Sequence, residues 1–243
     1  MVFATEYIRQ FIEGLAFTVT ATTVEEVDGN TKITTSNTEY ITDAHYLRIN
    51  GKRYTVTAFE RDVYFTLKGT GLGFQSGDTL NLAPPTFFHG QLLDVQTEIA
   101  QRIGSGNLDR RDIMPMVVML EPSQPMQIPA DPMSNFQMEG PVTLLILNST
   151  NWANTPTEHY RQSINPIGKV ILKIKESYRG FFKVFDKVGI DNIVAYPKFV
   201  TGNKGTDAKG GELIFGLHLS CVQITLNAVI PEPEPDKNCP CGC

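Results

Sequence analysis

Cys239, Cys241 and Cys243 put three thiols at alternate positions in a 243-residue chain. Thiolates at this spacing can hold a soft metal such as zinc. A closed structural zinc site takes four ligands, so three on one short segment are one short. The three cysteines are therefore weak metal candidates. A solvated tail, pairing with another chain's tail through metal or disulfide, and a redox role all stay open. The fourth cysteine, Cys221, sits in an apolar run and reads as a core thiol. With no disulfide framework elsewhere, a reducing site of synthesis fits best.

Other chemistry-bearing residues are scattered. Gly69-Thr70-Gly71-Leu72-Gly73 looks like a phosphate-cradling loop only in composition. Such a loop must join a buried strand to a helix N-terminus, and here it joins two strand-like runs with no Lys-Ser/Thr after it. A hairpin loop is expected. His45, His89, His159 and His218 form no HxH or HExxH pair, so only the fold could cluster them. Ser163, Ser177 and Ser220 lack the context of a nucleophile elbow. Asp109, Arg110, Arg111 and Asp112 read as a solvated turn before a core strand, or as an intersubunit ion-pair site. No catalytic residues and no cofactor are assigned, and the chain is not expected to be an enzyme.

Composition narrows the class. The net charge of −5 argues against a general nucleic-acid surface, because phosphate neutralisation needs clustered Lys and Arg. No apolar run approaches the ~20 residues needed to cross a bilayer. The first residues do not read as a signal peptide. At 41% apolar and 19% charged the chain can bury a sizeable core.

The elements follow from hydrophobic period. Residues 5–16 (TEYIRQFIEGLA) predict a helix with Thr5 as N-cap and Tyr7, Ile8, Phe11, Ile12 and Leu15 on one face. From Phe17 to Phe88 the period is two, rich in Thr, Val and Tyr, with tight turns at Asp28-Gly29-Asn30 and Asn50-Gly51-Lys52. This predicts an antiparallel β unit of five or six strands, a small barrel or twisted sheet. A second helix is expected over 91–103 with Leu92, Val95, Ile99 and Ile103 on one side. Two apolar strands follow, MPMVVML and VTLLIL, and then a long helix. Its ladder is Tyr160, Ile164, Ile167, Ile171, Ile174 and Tyr178. Pro166 fits its first turn, with Asn165 capping, or a kink. Last come strands near 192–196 and 212–229, joined across a Gly- and Lys-rich loop at 201–211, and an extended acidic tail.

The expected fold class is α+β: an antiparallel sheet covered by a long helix, with an inserted small all-β, barrel-like module. The expected division is 1–16 and 89–230 for the body, 17–88 for the inserted β module, and 231–243 for the Cys-rich tail. The loops at 121–139 and 201–211 are long, and long loops are usually functional. Met126, Ile128, Met133, Phe136 and Met138 make the first one apolar, which suits an interface or a fold back over its own core. Lys204 and Lys209 in the second are candidate contacts to a neighbour.

The strand MPMVVMLEP, the strand PVTLLILNST with its polar loop, and the helix HYRQSINPIGKVILKIKESY occur in an order that resembles a phage head-to-tail neck or tail-completion (tail-terminator-like) protein family. The resemblance covers about 65 residues directly. It implies an α+β subunit of a homo-oligomeric ring, often sixfold, in the neck or tail of a tailed phage. Its implied partners are other neck, portal or tail proteins, with DNA only passing through the lumen and no membrane. Its implied place is the virion, assembled in the bacterial host cytoplasm. The β insert and the Cys-rich tail depart from the family's pattern. Two other classes remain: a carbohydrate- or peptide-binding module with an exposed platform of Tyr40, Tyr46, Tyr54 and Tyr64, and a hydrolase joining His45 or His89 to carboxylates.

Overall fold

The computed structural model describes residues 2–43, 45–104, 109–120, 138–150, 153, 155–181, 190–199 and 219–230. Strand outweighs helix, 43% against 28%, which overturns the expected α+β sheet covered by a long helix. The fold is mostly β, built on two sheets with helical segments around the second.

The first sheet has seven strands: β1 (Phe17–Thr20), β2 (Thr23–Val27), β3 (Asn30–Thr34), β4 (Tyr46–Ile49), β5 (Lys52–Glu60), β6 (Tyr64–Lys68) and β7 (Thr79–Leu82). Their spatial order is β1-β7-β4-β5-β6-β3-β2. Its two outermost strands are consecutive in the chain and separated only by Ala21 and Thr22, so the sheet curls until its edges meet at that corner. Both predicted tight turns are present. Asp28 and Gly29, and Asn50 and Gly51, all have positive φ, the backbone of a type I′ hairpin. A register shift between Val56 and Ala58 divides β5 into a half that pairs with β4 and a half that pairs with β6. Alternation puts Val19, Ile33, Leu47, Phe65, Leu67 and Leu80 inside the curl.

The second sheet contains β8 (Thr86–His89), β9 (Met116–Met119), β10 (Met138–Ser149), β11 (Ile190–Phe199) and β12 (Leu219–Ile230) in the order β11-β12-β10-β9-β8. The segment 17–88 read as one β module thus includes most of a strand that belongs here: β8 pairs in parallel with β9. The apolar runs MVVM and VTLLIL do not alternate because the sheet is covered on both sides. Val117, Leu144, Ile146 and Ile224 pack with helices α1 (Val2–Glu13) and α4 (Asn165–Phe181) and with the curled sheet. Met116, Val118, Leu145 and Leu147 face the other way, into a cluster with Val95 and Ile99 of α2 (Leu92–Gly104) and with Ile113 and Met114. The expectation of one helix across one face of a two-layer body fails here. The helix shares its face, and the opposite face has a cover of its own.

The helical ladder holds only in part. Ile167, Ile171 and Ile174 are buried, Ile164 is half-buried, and Tyr160 is 49% exposed. Tyr178 lies on α4, but its side chain is outside the described residues. The cause is a π turn at Tyr160–Ile164, between the short helix α3 (Pro156–His159) and α4. The wider turn shifts the helical phase, so His159 and Ser163 take the buried positions before Ile164 and Tyr160 turns outward. Thr155 and Glu158 form a capping box at the start of α3, with Pro156 in its first turn. Pro166 has no N–H to offer the carbonyl four residues earlier, that of Gln162. The hydroxyl of Thr42, from the curled sheet's side, donates to that carbonyl at 3.0 Å.

One apolar cluster runs through both sheets. It joins Ile8 and Phe11 of α1, Phe17 and Phe65 of the curled sheet, Ile146 and Ile224 of the second sheet, and Ile167 of α4. The curled sheet is an insertion in chain order, but it shares its core with the rest.

Candidate functional site

The chemistry-bearing side chains that the fold gathers lie on the seam between the curled sheet and the elements of the second. Sequence spacing could not show this, because the partners come from distant segments. At one place, the carboxylate of Asp62, in the β5–β6 turn, accepts the backbone N–H of Thr38 at 3.0 Å. The ammonium of Lys169, on α4, lies 3.4 Å from the same carboxylate and 3.2 Å from Oδ1 of Asn37. Partial burial alone would raise the Asp62 carboxyl, but the Thr38 N–H and the Lys169 charge outweigh it and hold it below its usual value. Arg161, in the π turn, reaches the Phe59 carbonyl at 3.4 Å and lies over the Phe59 ring.

At a second place, Asp112 is buried and anchors two arginines of the curled sheet. Arg53 lies 3.1 Å and Arg48 3.7 Å from its carboxylate oxygens. The Asp109–Asp112 cluster is thus not simply a solvated turn. Asp112 caps its own 3-10 turn, Arg110–Ile113, through the Asp109 N–H, and its ion pairs lie within the chain. Beside it opens a cleft of about 230 Å³ lined by Tyr40, Tyr46, Arg48, Arg102, Asp112 and Met114 among others. No histidine lines it, so neither His45 nor His89 meets a carboxylate there.

His45 is buried on the seam, its ring 5.9 Å from that of Tyr40. Asn148 of β10 faces the imidazole, but neither ring nitrogen reaches hydrogen-bond geometry. Loss of solvation pushes its pKa down to about 4, and the Asn148 side chain offsets only part of that. The folded state therefore refuses a proton that the unfolded chain accepts below about pH 6.5. Stability from neutral His45 should be full above pH 6.5, fall as the pH drops from 6.5 towards 4, and be lost below that. That difference between the folded and unfolded imidazole corresponds to about 3 kcal/mol. Urea midpoints measured across this range should show the slope, and His45→Phe should flatten it. An unchanged slope in that variant would remove His45 as its source.

The tyrosines do not form one exposed platform. Tyr40 is buried and donates its hydroxyl to the Ala83 carbonyl. Tyr46 lies under the Arg53 guanidinium, Tyr64 under the Lys32 ammonium, and Tyr54 packs on Phe74. The glycine loop between β6 and β7 is the expected connector: Gly69, Gly71 and Gly73 all have positive φ. The Gly71 N–H donates to the Glu26 carboxylate at 2.7 Å, so an acid of the chain already occupies the place a phosphate oxygen would need. Cys221 is buried in an apolar cluster, and burial pushes its thiol pKa up, as a core thiol requires.

The proposed interface residues Met126, Ile128, Met133, Phe136, Lys204 and Lys209 lie outside the described residues, as do His218 and the metal candidates Cys239, Cys241 and Cys243. Met138 opens β10 opposite Ile230, with its side chain outside the described set. Among the described residues no group of three His, Cys, Asp or Glu is placed to hold a metal, and no helix is long and apolar enough to cross a membrane. Exposed apolar residues stand instead on both faces at the edge of the second sheet. β11 is an edge strand among the described residues, with Ile193 and Tyr196 exposed. It runs beside the π turn that exposes Tyr160. Comparison with known protein families and with characterised proteins returns no match.

Proposed function

We propose that the chain is a structural subunit of a tailed-phage virion, forming a ring in the neck or tail that joins head to tail. The observation that carries the reading is β11, ten residues long and at the sheet's edge among the described residues, with Ile193 and Tyr196 exposed on it. An open strand edge with apolar side chains favours pairing with another chain. The segments that resemble the neck and tail-completion family supply β9, β10 and the α3–α4 run. An acidic chain of net charge −5 also suits a lumen through which DNA passes without being held.

The ring is homo-oligomeric, sixfold in the family's manner, and its neighbours are other neck, portal or tail proteins. Its place is the virion, assembled in the host cytoplasm. Gold-labelled antibody against the chain, applied to purified particles of the phage that encodes it, should mark the head–tail junction or the tail end. Particles that lack the chain, or label scattered over the capsid shell, would refute the reading.

A further inference from the structure

The amine of Lys169 lies beside the side-chain amide of Asn37, and both reacting groups are flanked by a carboxyl. Asn37 Oδ1 accepts the Lys169 amine at 3.2 Å and the Glu39 backbone N–H at 3.0 Å. Asn37 Nδ2 donates to Glu39 Oε1 at 2.8 Å. Asp62 Oδ1 lies 3.4 Å from Lys169 Nζ. Glu39 is buried, only 7% exposed. Both carboxyl-bearing residues sit on left-handed backbone, Glu39 at φ +48 and Asp62 at φ +55. Such strain in non-glycine residues is held by the surrounding structure and collects at functional sites. A Lys–Asp ion pair alone would require neither the amide at the amine nor the second carboxyl behind it.

We propose that Lys169 and Asn37 join in an intramolecular isopeptide bond, which ties the loop after β3 to α4. The ammonium of Lys169 loses a proton to solvent while Asp62 holds the side chain beside the amide, and the freed lone pair attacks Cγ of Asn37. The carbonyl electron pair moves onto Oδ1, where the Glu39 N–H stabilises the oxyanion. As the carbonyl re-forms, the bond from Cγ to Nδ2 breaks. The attacking nitrogen gives its second proton to the Glu39 carboxylate, which passes it to the departing Nδ2, and ammonia leaves. Glu39 ends in the protonation state in which it began, and the proton first lost by Lys169 stays in solvent. One amide is exchanged for another, no electrons are transferred, and no co-reactant is needed. The product would close a covalent loop across a separation of 132 residues, from the curled sheet to the helix of the second sheet. The reaction does not depend on where the chain acts.

Intact-mass measurement of the full-length folded chain tests this. The expected result is a mass lower by one ammonia, about 17 Da, either on purification or after incubation at alkaline pH, where more of the lysine is neutral. Digestion should then yield a branched peptide joining the segments around residues 37 and 169. Lys169→Arg keeps the charge beside Asp62 but cannot form the bond, and should retain full mass, as should Asn37→Ala. Glu39→Gln should slow the loss at least tenfold. Near-ultraviolet circular dichroism identifies which variants are folded. Two results would overturn the proposal: full mass in the folded wild-type chain after prolonged alkaline incubation, or the same loss in Lys169→Arg, which would identify a succinimide at Asn37.

Discussion

Ile167→Asp should abolish the folded state. Ile167 is fully buried on α4, in the one cluster that both sheets share. An aspartate there places an uncompensated charge where no partner can reach it, and it removes apolar contacts to α1 and β10. The combined cost is about 5 kcal/mol or more, comparable to the whole stability of a typical domain. Leu172, five residues on, is 50% exposed, and Leu172→Asp should change stability by less than about 1 kcal/mol. Thermal and urea melts of the two variants check the pair. Equal effects at both positions would mean that the face of α4 has been assigned wrongly.

The second large effect concerns the curled sheet. Replacing residues 17–82 by a short Gly/Ser linker should leave the remainder unable to fold. Chain order alone suggests that the insertion could be excised, since both ends enter neighbouring elements. The packing argues otherwise. Removal uncovers Ile8, Phe11 and Ile12 of α1 and one side of Ile167 and Val170 on α4. It also strips Arg48 and Arg53, both partly exposed, from Asp112, whose side chain is fully buried, and leaves that carboxylate without its ion pairs. Circular dichroism and light scattering should find an aggregated or unfolded product. A soluble remainder with a cooperative melt would show two independent cores instead.

Local chemistry explains what the sequence made legible. The Asn50-Gly51 turn, the period-two strands after Phe17 and the apolar face of α1 each follow from neighbouring residues, and each appears where that chemistry places it. The helix through Ile167 and Ile174 was equally visible. Its break at Tyr160 was not, because a π turn leaves no mark on the hydrophobic period. The Thr155-x-x-Glu158 capping box did mark the start of α3, and it could have been read directly. Fold class failed for a different reason. The runs MVVM and VTLLIL are compatible with a sheet covered on one face or on two, and only the position of α2 decides. Asn37, Glu39, Asp62 and Lys169 carried no signal at all. Each is an ordinary polar residue in its own segment, and their meeting is a property of the seam. Asp112 stood inside a charged cluster, where only burial separates it from its solvated neighbours.

The structural-subunit reading makes self-association through β11 its central claim. Light scattering of the purified full-length chain over a range of concentrations, with negative-stain imaging of the same samples, tests it most directly. Growth from monomer to a closed ring of defined mass is expected. Tyr196→Lys combined with Ile193→Lys should hold the chain as a folded monomer. A wild-type chain that stays monomeric at every concentration, or variants that form the same rings, would contradict it.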